Sequence, residues 1–103
     1  MNVNLSLLTP AVVGIIEPDT VPSLQTLIIG GEAPSAAEIA RWTRHCTTVF
    51  NAYEPTECTV FCTIHKLKPA ISQPNNIGTA VGSVLWIVDK NDHTKQAPMG
   101  STG

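Results

Sequence analysis

The sequence predicts an α/β chain built on a parallel sheet. Three observations carry that expectation. Short β-prone apolar runs recur at Val3 to Leu8, Thr26 to Ile29 and Thr47 to Ala52, each the length of a buried strand. An amphipathic helical stretch with a clear N-terminal signature lies between the second and third runs, and a shorter helical stretch lies between the first two. The resulting β-α-β-α-β order implies parallel neighbours joined by right-handed crossovers.

In chain order, Val3 to Leu8 is rich in Val and Leu and ends at Thr9-Pro10. Thr9 is expected to cap a helix whose first position Pro10 suits, because proline lacks the N–H that would be unsatisfied there. The helix, Ala11 to Ile16, should stop before Pro18, which pushes its predecessor out of helical geometry. A loop through Val21-Pro22-Ser23 leads to the strand Thr26 to Ile29, halted by Gly30-Gly31, a pair that permits a tight turn and close approach by a flat group. Ser35 with Glu38 makes a capping box. Ala36, Ile39, Ala40 and Trp42 form an apolar stripe, and Arg41, Arg44 and His45 suit the helix C-terminus.

The third strand, Thr47 to Ala52, delivers the loop Asn51-Ala52-Tyr53-Glu54-Pro55-Thr56-Glu57. Thr59 to His65 has the bias of a further strand, and Lys66 to Asn76, with Pro69 and Pro74, reads as a loop. Val81 to Val88 reads as a strand whose Gly82 permits a bulge, followed by a turn at Asp89-Lys90-Asn91-Asp92. The division expected is residues 1–76 as an α/β unit and 77–103 as a linker with the first strand of a β subdomain. Val84 to Val88 would then be an edge in want of a partner.

A chain of 103 residues holds one small core. A formal charge of −2 with few Lys and Arg argues against a nucleic-acid or anionic-membrane surface. Three cysteines without framework spacing fit a reducing compartment, so a cytoplasmic location is expected. Leu5 to Ile16 is apolar, but Pro10 interrupts it and it is too short to span a bilayer. Asn4-Leu5-Ser6 matches a glycosylation triplet inside an expected strand and reads as chance. Cys58, Cys62, His65 and Cys46 lack the spacing of common zinc sites and are expected as free thiols. Trp42 and Trp86 both read as core or partner-facing aromatics.

The loop after the third strand carries the candidate chemistry, since open α/β sheets bind ligands beyond the carboxyl ends of their strands. Tyr53 offers a flat aromatic face, Asn51 an amide, Thr56 a hydroxyl and Glu57 a carboxylate of the kind that holds Mg²⁺ beside phosphates. Glu54 stands where a turn approaching phosphate usually has Gly.

Asn-Ala-Tyr-Glu-Pro-Thr-Glu resembles the Asn-x-Tyr-Gly-Pro-Thr-Glu motif of adenylate-forming enzymes, most closely the amino-acid adenylation domains of nonribosomal peptide synthetases. Leu8-Thr9-Pro10, the run Ser23 to Glu32, Asn76-Ile77-Gly78 and Ile87-Val88-Asp89 extend the likeness along nearly the whole chain. The resemblance implies a flavodoxin-like α/β subdomain, partial here, followed by the start of a small β subdomain. It implies activation of a carboxylate by ATP to an acyl-adenylate, with transfer to a carrier thiol, so that an amino acid, ATP (or AMP) with Mg²⁺, and the remainder of a synthetase including a carrier domain are the expected partners.

By position, the resemblance assigns Gly30, Gly31, Glu32, Asn51, Ala52, Tyr53 and Thr56 to the nucleotide and Glu57 to Mg²⁺. Tyr53 would stack on adenine, Asn51 contact its exocyclic amine and Thr56 touch the α-phosphate. It assigns Leu7, Ile28, Gly30, Ala52, Val60 and Phe61 to the substrate side-chain pocket. None of these six is charged, so an apolar amino acid is expected. The family's phosphate loop, amine-clamping Asp, ribose-binding Asp and catalytic Lys have no match here, so turnover by this chain alone is not expected. Glu54 and Glu57 would both face the triphosphate. The alternatives are a non-catalytic nucleotide-binding or interaction module and a segment of an acyl-CoA ligase.

Overall fold

The structure is a computed structural model that describes residues 2–55, 61–69, 74–98 and 100. Five strands form one sheet in sequential order: β1 (Leu5–Leu8), β2 (Thr26–Gly30), β3 (Thr48–Tyr53), β4 (Thr63–Lys66) and β5 (Thr79–Ala80). Helix α1 (Pro10–Ile15) and a 3-10 turn (Pro18–Thr20) join β1 to β2, and helix α2 (Ala36–His45) joins β2 to β3. The first three strands are parallel, as expected from the helical connections. The next two reverse direction: β4 is antiparallel to β3, and β5 to β4. The sheet is therefore mixed: the connection from Tyr53 to Thr63 is shorter than the dozen or so residues that a crossover to a parallel strand needs.

Strand alternation sorts the side chains between two faces. Leu27, Ile29 and Val49 are buried under the helices, in one cluster with Val13, Leu24, Ile39, Trp42, Cys46 and Leu67. Burial in this cluster raises the Cys46 thiol pKa by desolvation. The sheet register places Leu5, Leu7, Ile28 and Phe50 on the opposite face, where Leu7 is 44% exposed.

Trp42 ties the two helices together. Its ring is fully buried and its Nε1 donates to the Val13 carbonyl at 3.2 Å, an acceptor shared with the Arg41 guanidinium at 2.6 Å. The capping box forms as the sequence suggests: Ser35 Oγ accepts from Glu38 N at 3.2 Å, and Glu38 Oε2 accepts from Ser35 N at 2.7 Å. Ser35→Ala is expected to lower stability by about 1 kcal/mol, read as a lower urea midpoint with unchanged slope. Thr9 occupies the N-cap of α1, but its side chain makes no capping bond. The expected cap is therefore corrected in part: Thr9 holds the N-cap position and Pro10 the first helical position, but the Thr9 hydroxyl does not bond the N–H groups of the first turn.

Two further expectations change. The strand expected over Thr59 to His65 is observed as Thr63–Lys66, and residues 56–60 lie outside the described part. The strand expected over Val81 to Val88 is absent: among the described residues, 84–87 belong to no strand, and the strand in this region is the two-residue β5. Val84, Trp86 and Ile87 are 74%, 67% and 59% exposed. β-prone residues need a neighbour to satisfy their backbone, and here the pairing is a bridge between Val88 and Gln96 with Ala97 N donating to Ile87 O at 2.8 Å. The turn between them forms where expected. Asp89 Oδ1 accepts from Asn91 N and Asp92 N, and Asp92 Oδ1 accepts from Thr94, whose hydroxyl is the main cause of the lowered Asp92 pKa. β5 lies just past residue 76 and joins the same sheet as the α/β unit.

Candidate nucleotide cleft

The parallel register brings the carboxyl ends of β2 and β3 side by side, aligning Ile29 with Asn51 and Gly30 with Ala52. Directly beyond, Gly31 takes φ +93°, a left-handed conformation that glycine adopts without strain, and turns the chain away from the sheet. The turn opens a cavity of about 320 Å³ lined by Gly31 to Ala33 on one side, Asn51 to Glu54 on another, and Pro74, Asn75 and Ile77. Gly31, Glu32, Asn51, Ala52 and Tyr53 thus share one cleft.

Asn51 is 4% exposed. Its Nδ2 donates to the Asn76 carbonyl at 3.1 Å, and Asn76 Oδ1 accepts from Gly78 N at 2.8 Å. A carbonyl partner can only be met by the amide nitrogen, so this bond orients the Asn51 side chain. It leaves Oδ1 as an acceptor without a partner among the described residues. Tyr53 ends β3 and is 45% exposed at the cleft. Its carbonyl accepts from Cys62 N at 3.0 Å, which closes the loop between β3 and β4. Sequence inspection missed Asn76 as the residue that holds Asn51, because nothing local marks a contact across 25 positions.

The residues expected in a side-chain pocket are placed only in part. Register puts Leu7 and Ile28 on one sheet face, with Gly30 and Ala52 on that same face toward the strand ends. Phe61 is half-buried beyond the loop. Thr56, Glu57 and Val60 lie outside the described residues, as does Cys58. Cys46 and Cys62 are buried. Among the described residues no group of three or more His, Cys, Asp or Glu side chains is arranged to hold a metal. Glu57, to which the resemblance gives Mg²⁺, lies outside the described residues.

The Glu54 carboxylate lies on Gly30: a methyl group at Gly30 would fall on Glu54 Oε1 and 2.8 Å from its Cδ. Oε1 is buried without a hydrogen-bond partner. Glu54 belongs to the site through this contact.

A second cavity, about 360 Å³, lies under the β1 edge among Val3, Leu8, Ile16, Val21, Leu24 and Trp42. It contains no titratable side chain. The cleft at the strand ends is the better candidate because open α/β sheets bind ligands beyond the carboxyl ends of their strands. No helix among the described residues is long and apolar enough to cross a membrane.

Residues 2–103 match the family model described as AMP-binding enzyme. The chain is 48% identical over all its 103 residues to N-benzoylphenylalaninol synthetase apmA of Penicillium brevicompactum, of which it covers 4%. It is 41% identical to nonribosomal peptide synthetase ungA of Aspergillus violaceofuscus, of which it covers 1%. Among solved structures, the Vibrio cholerae adenylation domain AlmE, in complex with glycyl-adenosine-5'-phosphate, superposes with a TM-score of 0.74 at 25% identity over 97% of this chain and 21% of its own. Matched along its length by the family model, by synthetase relatives and by an adenylation-domain fold, this chain belongs to the AMP-binding enzyme family and corresponds to a segment of a nonribosomal peptide synthetase adenylation domain.

Proposed function

We propose that this chain supplies the adenine slot and part of the substrate pocket of a domain that activates an amino acid with ATP. The observation that carries the reading is the single cleft shared by Gly31, Glu32, Asn51, Ala52 and Tyr53. Tyr53 presents a ring for stacking against adenine, and Asn51 Oδ1 is an acceptor for the exocyclic amine. The Gly31 turn keeps the opposing wall free of side-chain bulk. Thr56 touches the α-phosphate and Glu57 holds Mg²⁺, which on binding would neutralise phosphate charge. Gly30, Leu7, Ile28, Ala52, Val60 and Phe61 line the pocket for the substrate side chain.

In the parent reaction the carboxylate oxygen of the amino acid attacks the α-phosphorus of ATP, pyrophosphate leaves, and the acyl group passes from AMP to a carrier thiol. The part of this chain is to bind and orient the nucleotide and the side chain. The phosphate loop and catalytic Lys belong to the remainder of a synthetase, with which residues 77–103 connect as the start of a β subdomain. The location is cytoplasmic, where ATP and reduced thiols are available.

A titration of the isotopically labelled chain with Mg-ATP tests the reading. Saturable shifts should concentrate at Gly31 and Tyr53. A well-dispersed spectrum that ATP leaves unchanged would refute it. Because Glu54 places an anion beside a slot for a polyanion, Glu54→Gly should tighten ATP binding by about tenfold at low salt. Equal affinities in a calorimetric titration would remove Glu54 from the account of nucleotide binding.

A further inference from the structure

The run Val84-Leu85-Trp86-Ile87 lacks a neighbour on one side. Its four residues are between 44% and 74% exposed, and among the described residues Val84, Leu85 and Trp86 take part in no backbone hydrogen bond. The hairpin beyond shows which edge is open. Val88 bridges Gln96 through bonds made by the flanking residues: Ala97 N donates to Ile87 O and Asp89 N to Lys95 O, each at 2.8 Å. In an antiparallel pair of this non-hydrogen-bonded kind, the N–H and C=O of the bridging residue point away from the partner strand. Val88 therefore turns its own groups to the opposite side, and the two-residue period of an extended chain sends those of Trp86 and Val84 the same way. The edge from Val84 to Val88 is unpaired and apolar along its length.

We infer that this edge pairs with the same edge of a second copy of this chain, antiparallel about a two-fold axis at Trp86. A two-fold contact is self-complementary. With Trp86 opposite Trp86, Val84 of each copy meets Val88 of the other, and all three exchange hydrogen bonds through backbone groups that have no partner within one copy. The facing pairs are aromatic with aromatic and β-branched with β-branched, which are stabilising cross-strand contacts. Charge does not oppose the pairing, because Asp89 falls opposite Ser83 rather than opposite another carboxylate. The area suits a weak dimer. Val81, Val84, Leu85, Trp86 and Ile87 leave on the order of 500 Å² open per copy, and covering it on both copies approaches the roughly 1,000 Å² of a small specific interface. None of residues 84–88 lines the cleft at the ends of β2 and β3. The pairing is therefore independent of the nucleotide reading and leaves that cleft open.

Sedimentation velocity of the wild-type chain between about 5 and 500 µM tests the pairing, with half-association expected near ~50 µM, a weak affinity that fits so small an interface. Trp86→Lys sets two ammonium groups against each other across the axis and should remain a single copy throughout. The register has its own readout. Trp86→Cys brings two thiols onto facing positions with Cα atoms about 5.5 Å apart, within disulfide reach, whereas Leu85→Cys leaves its two copies offset by two positions, about 8 Å apart and beyond that reach. Mild oxidation should link the Trp86→Cys chain at least about tenfold faster than the Leu85→Cys chain, with the wild-type chain as the blank for the native thiols. A wild-type chain that stays single at every concentration, one whose mass climbs past two copies, a Trp86→Lys chain that pairs as well as the wild type, or equal linking at positions 85 and 86 would each overturn the proposal. The wild-type series alone decides it if a variant fails to fold.

Discussion

Trp42→Ala is expected to lower stability by about 4 kcal/mol, the cost of emptying a large aromatic site in a packed core. In a chain of 103 residues whose total stability is of order 5–15 kcal/mol, that loss should move the thermal midpoint down by roughly 20 °C or abolish a cooperative transition altogether. Trp42 has no exposed surface and lies in the one cluster that joins both helices to β2 and β3. Two controls separate packing from hydrogen bonding. Trp42→Phe keeps most of the ring and loses the bond from Nε1 to the Val13 carbonyl. Arg41 still serves that carbonyl at 2.6 Å, so the added cost of the lost bond should stay near 1 kcal/mol. Trp86→Ala, at a residue 67% exposed, should change stability by no more than about 0.5 kcal/mol. Denaturation followed by far-UV circular dichroism checks all three. Equal effects at Trp42 and Trp86 would contradict the packing described.

Gly78→Ala should have the next largest effect, and it reaches the cleft. Gly78 has φ +80°, and an added methyl would meet the Ile64 carbonyl group and approach His65 Cα at 2.7 Å. These obstacles are backbone atoms of β4 and cannot rotate aside. The 76–78 segment must shift, at an expected cost of about 2–4 kcal/mol that combines left-handed strain with broken pairing. Asn76 stands in that segment, accepting from Asn51 Nδ2 through its carbonyl and from Gly78 N through Oδ1. Displacing it frees the Asn51 amide, so adenine binding should weaken along with stability. Gly82→Ala is the matched control: φ is +66°, but nothing lies within 4 Å of the added methyl, and only the conformational cost of about 1 kcal/mol remains. Chemical denaturation, with the Asn51 side-chain amide followed by NMR, distinguishes the two. A Gly78→Ala chain with an unmoved Asn51 resonance would show that Asn76 does not position it.

Much of this organisation is legible in local sequence. The capping box needs only Ser35 and Glu38, three positions apart, and it forms with both bonds in place. The apolar runs fix where β1, β2 and β3 lie to within a residue or two, and the helices between them require those strands to be parallel. The seven-residue loop identifies the family, and it leaves β3 where ligands of such sheets bind. Trp42 and Trp86 show the limit of such reading. Both are tryptophans in apolar surroundings, yet one is the centre of the core and the other is open to solvent.

What the sequence by itself determined is therefore the set of structures encoded within one helix, one strand or one turn, together with the family that the motif marks. Only the tertiary structure decided the antiparallel return of β4, the short β5 in place of a long final strand, the Asn76 bond that orients Asn51, and the position of the Glu54 carboxylate on Gly30. The physical reason is common to all four. Each depends on which backbone or side-chain group from a distant part of the chain is available as a neighbour, and no local propensity records that.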